Sequence, residues 1–325
     1  MRPERRALWA ATSLMLAACG GAGAPGTSSE PSLPSVPAAS APQSEPAETD
    51  SGSSGLLVPR PIGDGDANLG YYEYLPPSYG DGGPRPLLVA LHGADGSGDG
   101  GLAELDNLFE TGIPDLMRSD AWPTDRPFVV LFPQHERPLS PPEIYAACEG
   151  VPLFGSCLME IQHQAGHPVD ESVCMTPTEL HAFLTFAVAT YDVDPQRVYL
   201  TGLSCGAFTA YEYAARYGDD QIAAMAPIAG EARPAWLTAG CTLGEVAIWA
   251  FHGDRDDVLD VQGTIEPMND LMDCPGLPEP GVELTIYPGV DHDSWTRTYD
   301  LTAGHDIYAW FLGIERAERQ EGDAP

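Results

Sequence analysis

The stretch Arg197-Val198-Tyr199-Leu200-Thr201-Gly202-Leu203-Ser204-Cys205-Gly206 decides the fold of this chain. Apolar, β-branched residues lead into Gly-x-Ser-x-Gly, and the residues that follow continue at helical spacing. A strand that turns sharply into a helix around a serine is a nucleophile elbow, in which the turn lifts the serine hydroxyl above the sheet. Ser204 is therefore the candidate nucleophile. The alternative is a glycine-rich turn without chemistry.

Apolar runs and helical patterns alternate along the rest of the chain. Strands are predicted at 71–75, 87–91, 128–132, before Ser204, and at 223–228, 246–251 and 282–287, with helices at 178–191 and 306–312. Such alternation is typical of a mostly parallel sheet that is covered by helices on both faces. The prediction is an α/β protein.

A serine nucleophile needs a base, and the base needs an acid that orients it. In the sequence that follows an elbow of this type, the acid comes first and the histidine second. His292 follows the last predicted strand and is the candidate base. The preceding strand leads into a loop with three candidate acids, of which we favour Asp256 over Asp257 and Asp254, and His252 beside them is predicted to be a packing residue.

The reaction also needs two backbone N–H groups that stabilise an oxyanion. One is expected from Cys205, the residue after the nucleophile. The other is expected from the loop after Leu91, where we favour Ala94, with Gly93 allowing close approach of the backbone. No metal and no cofactor is predicted. His163 and His167 have the spacing of a metal pair, but no third ligand is patterned with them.

The charge of the chain excludes some partners. The formal net charge is −33, with 48 acidic residues against 15 basic ones, all of them arginine. A surface this acidic repels nucleic acid and anionic lipid headgroups, so neither is an expected partner.

The N-terminal segment predicts export. Arginines precede a short apolar run that ends Leu16-Ala17-Ala18-Cys19, which resembles the lipobox of bacterial lipoproteins. We expect a signal peptide over 1–18, lipid attachment at Cys19 that anchors the protein to a membrane facing the periplasm or cell exterior, and a Gly/Ser/Pro/Ala tether over 19–55. An ordinary secretory signal is the alternative. The catalytic domain is predicted over 56–316, followed by a polar tail over 317–325.

Six further cysteines suggest disulfides in an exported protein, although six allow fifteen pairings. Three of them crowd between 148 and 174, inside an irregular segment at 134–176 that is either a lid or a braced surface loop. For the sulfur of Cys205, the candidate partners are Cys241 and Cys274.

Four motifs together resemble a known group of proteins. Leu-His-Gly-Ala, Leu-Thr-Gly-Leu-Ser-Cys-Gly-Ala, Phe-His-Gly-Asp-Arg-Asp-Asp-Val and Tyr-Pro-Gly-Val-Asp-His-Asp-Ser-Trp occur in this order between 87 and 312. They resemble secreted esterases related to polyhydroxybutyrate depolymerases and feruloyl esterases, and the nearby prolyl-oligopeptidase-like predicted peptidases. The resemblance implies an α/β-hydrolase fold with a mostly parallel central sheet, helices on both faces and a cysteine-rich insertion.

The resemblance also implies roles for named residues. Ser204, Asp256 and His292 are implied as nucleophile, acid and base, and Trp295 as a pocket residue near the base, with core packing as its alternative. The loop after Leu91 and the segment at 134–176 depart from the family pattern, so the resemblance does not imply which substrate this chain acts on.

We therefore expect a serine esterase that acts on small-molecule, polysaccharide-linked or polyester-linked esters. The rivals are a serine peptidase with the same triad and a non-catalytic, polymer-binding surface lipoprotein.

Overall fold

A computed structural model describes residues 55–136 and 174–316 of the chain. Its strands are β1 (Leu57–Arg60), β2 (Tyr71–Tyr74), β3 (Arg85–Leu91), β4 (Val129–Pro133), β5 (Val193–Leu203), β6 (Ala224–Ile228), β7 (Ala247–Gly253) and β8 (Val282–Tyr287). They form one eight-stranded sheet in the order β1-β2-β4-β3-β5-β6-β7-β8. β2 pairs antiparallel with both of its neighbours, β1 and β4. All the other neighbouring strands in this order, from β4-β3 to β7-β8, pair in parallel. The predicted α/β architecture is confirmed.

The helices of the described residues are α1 (Ile113–Arg118), α2 (Pro177–Thr190), α3 (Cys205–Tyr217), α4 (Arg233–Ala239), α5 (Gln262–Met272), α6 (Trp295–Tyr299) and α7 (Ile307–Leu312). Short 3-10 turns lie at Ala94–Gly96, Leu105–Glu110 and Gly240–Glu245. None of the helices in these two ranges has both the length and the apolar character needed to cross a membrane.

The core is divided by the sheet into two apolar layers. Along β3, Leu87, Val89 and Leu91 pack with α2, α3 and α5, while Leu88 and Ala90 pack with α1, α6 and α7. Successive side chains of a strand point to opposite faces, so a strand that is buried on both sides must be apolar throughout. This requirement explains the continuous apolar run that predicted β3.

Most predicted elements are found within one or two residues of their expected bounds. The helix expected at 178–191 is α2, which begins after Thr176. The Thr176 hydroxyl accepts from the amide of Glu179, whose carboxylate accepts in return from the amide of Thr176. The edge strand β1 was not predicted, because its four residues include Pro59 and show no alternation.

Candidate active site

Ser204 lies in the turn between β5 and α3. Its backbone has φ 50° and ψ −114°, a left-handed conformation that costs a non-glycine residue on the order of 1–3 kcal/mol. Its amide donates to the carbonyl of Ile228 on the neighbouring strand β6 at 2.9 Å. The turn is thus held by the sheet in a conformation that a serine does not adopt by itself, as a nucleophile elbow requires.

The two glycines of the motif make room for this turn. A Cβ atom on Gly202 would lie 2.5 Å from the carbonyl oxygen of Gly206, and one on Gly206 would lie 2.7 Å from the carbonyl carbon of Leu91. Both collisions involve backbone atoms, which cannot move aside. The helix α3 can start this close to β5 and β3 only where these positions carry no side chain.

His292 connects Ser204 to a carboxylate. It lies in the loop after β8, and its Nε2 atom is 3.1 Å from the Oγ atom of Ser204. Its Nδ1 atom is 2.6 Å from Oδ2 of Asp256. Since a carboxylate accepts hydrogen bonds, Nδ1 carries the proton, and Nε2 offers its lone pair to the serine hydroxyl. The structure thus brings together the three residues that the sequence predicted as nucleophile, base and acid.

Among the three candidate acids, Asp256 is the one in contact with His292. Its side chain is fully buried, and its second oxygen, Oδ1, accepts from the amides of Val258 and Leu259 at 2.9 and 2.8 Å. Burial opposes its negative charge, but the hydrogen bonds from His252 and His292 hold the pKa of Asp256 well below its ordinary value. Asp254 is exposed and accepts from the amide of Gly289, and Asp257 is also exposed.

His252 also binds Asp256, a contact that the sequence analysis missed. Its Nε2 atom lies 2.9 Å from the Oδ2 atom of Asp256 that also contacts His292. Its Nδ1 atom lies 2.8 Å from the hydroxyl of Thr264 on α5. We predicted a packing residue, and His252 is indeed fully buried, but both of its nitrogens have polar partners. The spacing of four residues between His252 and Asp256 was the available signal.

The loop after β3 packs against the elbow. A Cβ atom on Gly93 would lie 3.7 Å from the Cβ of Ser204 and 2.7 Å from Cδ1 of Leu203, so a side chain at this position requires the Leu203 side chain to move. The carbonyl of Gly93 accepts from the amide of Gly96 and lies 2.6 Å from Nδ1 of His92. The carbonyl of Gly93 and the N–H of Ala94 belong to one trans peptide bond and therefore point in opposite directions. The amide of Ala94 is therefore directed away from His92.

Trp295 lies close to His292, as predicted. The two rings are perpendicular, with centroids 5.1 Å apart. Trp295 is also a member of the apolar layer that contains α6 and α7, so the contact with the base and the core packing occur together. A polar cavity of about 300 Å³ is lined by Asp293, Thr296 and Arg297 on the chain segment that follows His292.

Cys205 forms a disulfide with Cys174, so both partners that we proposed for its sulfur are wrong. Cys241 and Cys274 instead pair with each other. Cys174 is two residues before the start of α2's capping box at Thr176, and the bridge therefore ties the residue after Ser204 to the beginning of α2. Spacing along the chain carries no information on which cysteines meet in space.

Several predicted features lie outside the described residues. They are Cys19 with its signal and tether, most of the segment at 134–176 with His163 and His167, and the polar tail. Within 55–136 and 174–316, no three His, Cys, Asp or Glu side chains are grouped so that they could hold a metal ion.

One curated relative matches part of the sequence. It is a bifunctional acetylxylan esterase/xylanase of Neocallimastix patriciarum, 35% identical over 109 residues, which are 33% of this chain and 15% of the relative. The match thus spans about a seventh of that protein. No family model matches the chain.

Solved structures resemble the chain over most of its length. A thermostable esterase has a TM-score of 0.52 at 20% identity, covering 80% of this chain and 63% of its own. An S-formylglutathione hydrolase from Agrobacterium tumefaciens has a TM-score of 0.51 at 14% identity, covering 79% and 94%. Dipeptidyl peptidase 4 of Porphyromonas gingivalis has a TM-score of 0.50 at 12% identity, covering 79% and 35%. The mostly parallel sheet, the elbow and these structural similarities together show that the chain has the α/β-hydrolase fold.

Proposed function

We propose that the protein is an extracytoplasmic serine esterase that cleaves carboxylic esters through an acyl-enzyme intermediate. One observation carries the proposal: an unbroken hydrogen-bond chain runs from Ser204 through His292 to the buried Asp256. Such a chain activates a hydroxyl that is otherwise a poor nucleophile at neutral pH.

In the proposed reaction, Ser204 Oγ attacks the ester carbonyl carbon while His292 Nε2 takes its proton. Asp256 orients the imidazole and stabilises its positive charge. The amides of Cys205 and Ala94 bind the oxyanion, and the protonated His292 then gives its proton to the departing alcohol. Water, activated by His292, attacks the acyl-enzyme and releases the acid. These steps need no cofactor.

The proposal of an ester substrate is supported by the partial match to a relative named an acetylxylan esterase/xylanase and by the motif resemblance to secreted esterases. The peptidase alternative has the same chemistry, and the fold is shared with a dipeptidyl peptidase. The polymer-binding alternative does not explain why Ser204, His292 and Asp256 are connected by hydrogen bonds.

The test compares p-nitrophenyl acetate and butyrate with chromogenic dipeptides, and adds feruloyl and acetylated-sugar esters to identify the substrate. We expect ester hydrolysis that is lost in Ser204→Ala and kept in the exposed control variant Ser119→Ala. A fluorophosphonate should label the wild type but not Ser204→Ala. Peptide cleavage without ester cleavage would establish the peptidase, and the absence of labelling would favour the binding protein.

We also propose that the protein is exported and anchored by a lipid at Cys19. The N-terminal motif supports this, as do the disulfides Cys174–Cys205 and Cys241–Cys274, since disulfides persist in oxidising compartments. Labelled palmitate should be incorporated into the wild type in a bacterial host and not into Cys19→Ala. Equal incorporation into both would exclude this anchor.

A further inference from the structure

Gln134 directly follows β4, and its side chain binds the loop that follows β3. This loop, residues 92–104, contains the proposed oxyanion donor Ala94 and is called the β3 loop below. Because β3 and β4 are parallel neighbours, the residue after β4 emerges beside the loop after β3. Gln134 is polar, yet only 1% of its surface is exposed. A buried amide must find hydrogen-bond partners, and here the β3 loop provides three of them.

The side-chain amide of Gln134 joins three separate points of the β3 loop. Its Nε2 atom donates to the carbonyls of Gly96 and Glu104, at 3.0 and 2.7 Å. Its Oε1 atom accepts from the backbone amide of Gly100 at 3.1 Å. These partners fix which atom is nitrogen and which is oxygen, because a carbonyl can only accept and a backbone amide can only donate. Both protons of the side-chain amide are therefore used within the loop.

The backbone of the loop lies directly against this amide. A Cβ atom on Gly98 would be 2.7 Å from each of Cδ, Oε1 and Nε2 of Gln134, so the loop passes over the face of the amide group. A side chain at position 98 would thus require the Gln134 amide to move. The amide of Gly98 also donates to the carbonyl of His135 at 3.1 Å, and the amide of Gln134 donates to the carbonyl of Gly70 at 2.8 Å. The residues after β4 are therefore fixed themselves and attach the loop at several points.

Short-range hydrogen bonds connect these attachments to Ala94. The amide of Gly96 donates to the carbonyl of Gly93 at 3.1 Å and closes the 3-10 turn that contains Ala94. The hydroxyl of Ser97 donates to the carbonyl of Ala94 at 2.9 Å. The two peptide groups that flank Ala94 are thus bonded to Gly96 and Ser97, and Gln134 holds Gly96 in place.

We propose that Gln134 is a positioning residue that holds the β3 loop in the conformation in which the amide of Ala94 binds the oxyanion. The inference rests on the proposed function, because it assumes that the β3 loop supplies one of the two oxyanion donors. Such a donor stabilises the transition state most when it is fixed before the charge develops, since no energy is then spent on reorienting it. A displacement of about 1 Å can lower the rate roughly 100-fold.

Hydrogen exchange of the full-length protein, followed by mass spectrometry, tests this attachment without any need for activity. Gln134→Met keeps the approximate size of the side chain and removes its hydrogen bonds. We expect the amides of residues 93–104 to exchange at least about tenfold faster than in the wild type, while those of β5 and β6 exchange as before. Gln221→Met is the matched control, because the amide of Gln221 binds Tyr213 and Thr185 just before the amino end of β6. Unchanged exchange of residues 93–104 in Gln134→Met would overturn the proposal.

The kinetic test measures kcat and KM for p-nitrophenyl acetate at a temperature where all variants are folded. In Gln134→Met we expect kcat to fall roughly 10- to 100-fold with KM within about twofold of wild type, because the oxyanion contacts become strong only in the transition state. Gln221→Met should keep the wild-type kcat. A wild-type kcat in a Gln134→Met protein whose loop exchanges faster would show that Gln134 does not position the donor.

The two measurements distinguish the ways in which the proposals can fail. If the wild type hydrolyses no ester, the proposed function fails, and hydrogen exchange still decides whether Gln134 holds the loop. If Gln134→Met does not fold, Gly98→Ala takes its place, because its new Cβ displaces the Gln134 amide without removing it. We expect smaller changes in the same direction, and wild-type exchange together with wild-type kcat in Gly98→Ala would refute the inference.

Discussion

Cys174 and Cys205 are joined by a disulfide whose Cα atoms are 5.3 Å apart, and Cys205 directly follows the candidate nucleophile. The same connection is reinforced one helical turn later, where the hydroxyl of Thr209 donates to the carbonyl of Met175 at 2.7 Å. The first turn of α3 is thus attached to the segment that leads into α2. The position of Ser204 depends on this turn, so the disulfide supports the geometry of the elbow.

We predict that Cys174→Ser impairs turnover as well as stability. The second disulfide is a matched control, because the two bridges close loops of 31 and 33 residues. In the chain-entropy account, Cys174→Ser and Cys241→Ser should each lose about 3–4 kcal/mol of unfolding free energy. At a temperature where both remain folded, kcat should fall roughly tenfold in Cys174→Ser, since small misplacements of reacting groups are costly. Equal kcat values in the two variants would show that the bridge does not support the elbow.

The choice among the acids gives a second prediction. Asp256→Asn keeps the size of the side chain but removes the charge that orients His292. We expect kcat/KM on p-nitrophenyl acetate to fall roughly 1,000- to 10,000-fold. Asp257→Asn, one residue away and exposed, should stay near wild-type activity. If kcat/KM fell more in Asp257→Asn than in Asp256→Asn, Asp257 would be the acid that acts on His292, contrary to the structure.

The sequence was informative wherever function depends on position relative to a strand end. Ser204 and His292 were chosen as candidates in this way, because parallel strands bring their carboxyl ends to one edge of the sheet. The same reasoning could not choose among Asp254, Asp256 and Asp257, since a shift of one residue in the loop would exchange them. That choice depends on the backbone amides of Val258 and Leu259, which hold one carboxylate inward.

Contacts between distant segments were beyond the reach of the sequence. The bridge from Cys205 to Cys174 joins residues that become neighbours only when α2 packs beside α3. The second histidine on Asp256 is a similar case, because an isolated histidine at a strand end resembles any buried residue. Its second polar contact is made by Thr264 on α5, which comes close to His252 only in the folded chain.

We predict that Gly93→Ala reduces catalysis more than stability. Its new Cβ would lie 2.7 Å from Cδ1 of the buried Leu203, and we expect the repacking to shift the loop, together with the proposed donor Ala94, relative to Ser204. Loss of an oxyanion donor lowers kcat by about 100- to 1,000-fold with a smaller effect on KM. Gly244→Ala is the control, because its Cβ would lie 2.5 Å from Cδ2 of Leu277, far along the chain from the elbow. A matching fall in kcat in both variants would point to general unfolding.

The last prediction concerns Glu212 on α3, where burial raises the pKa of the carboxyl from 4.5 to about 7. The folded state therefore binds more protons than the unfolded state between these values, and stability falls as pH rises through this range. Glu212→Gln cannot ionise, so its advantage should appear only at higher pH. Near pH 8 we expect a gain of about 2 kcal/mol, allowing for partial contact with water, and near pH 4 no gain.

Urea unfolding of wild type and Glu212→Gln at the two pH values measures this difference. Glu110→Gln, which changes an exposed glutamate, is the control and should leave the pH dependence as it is. Because the unfolded chain ionises its carboxyl near the ordinary value, any gain must grow with pH. A gain of equal size at pH 4 and pH 8 would mean that improved packing, and not the removal of a buried charge, stabilises the variant.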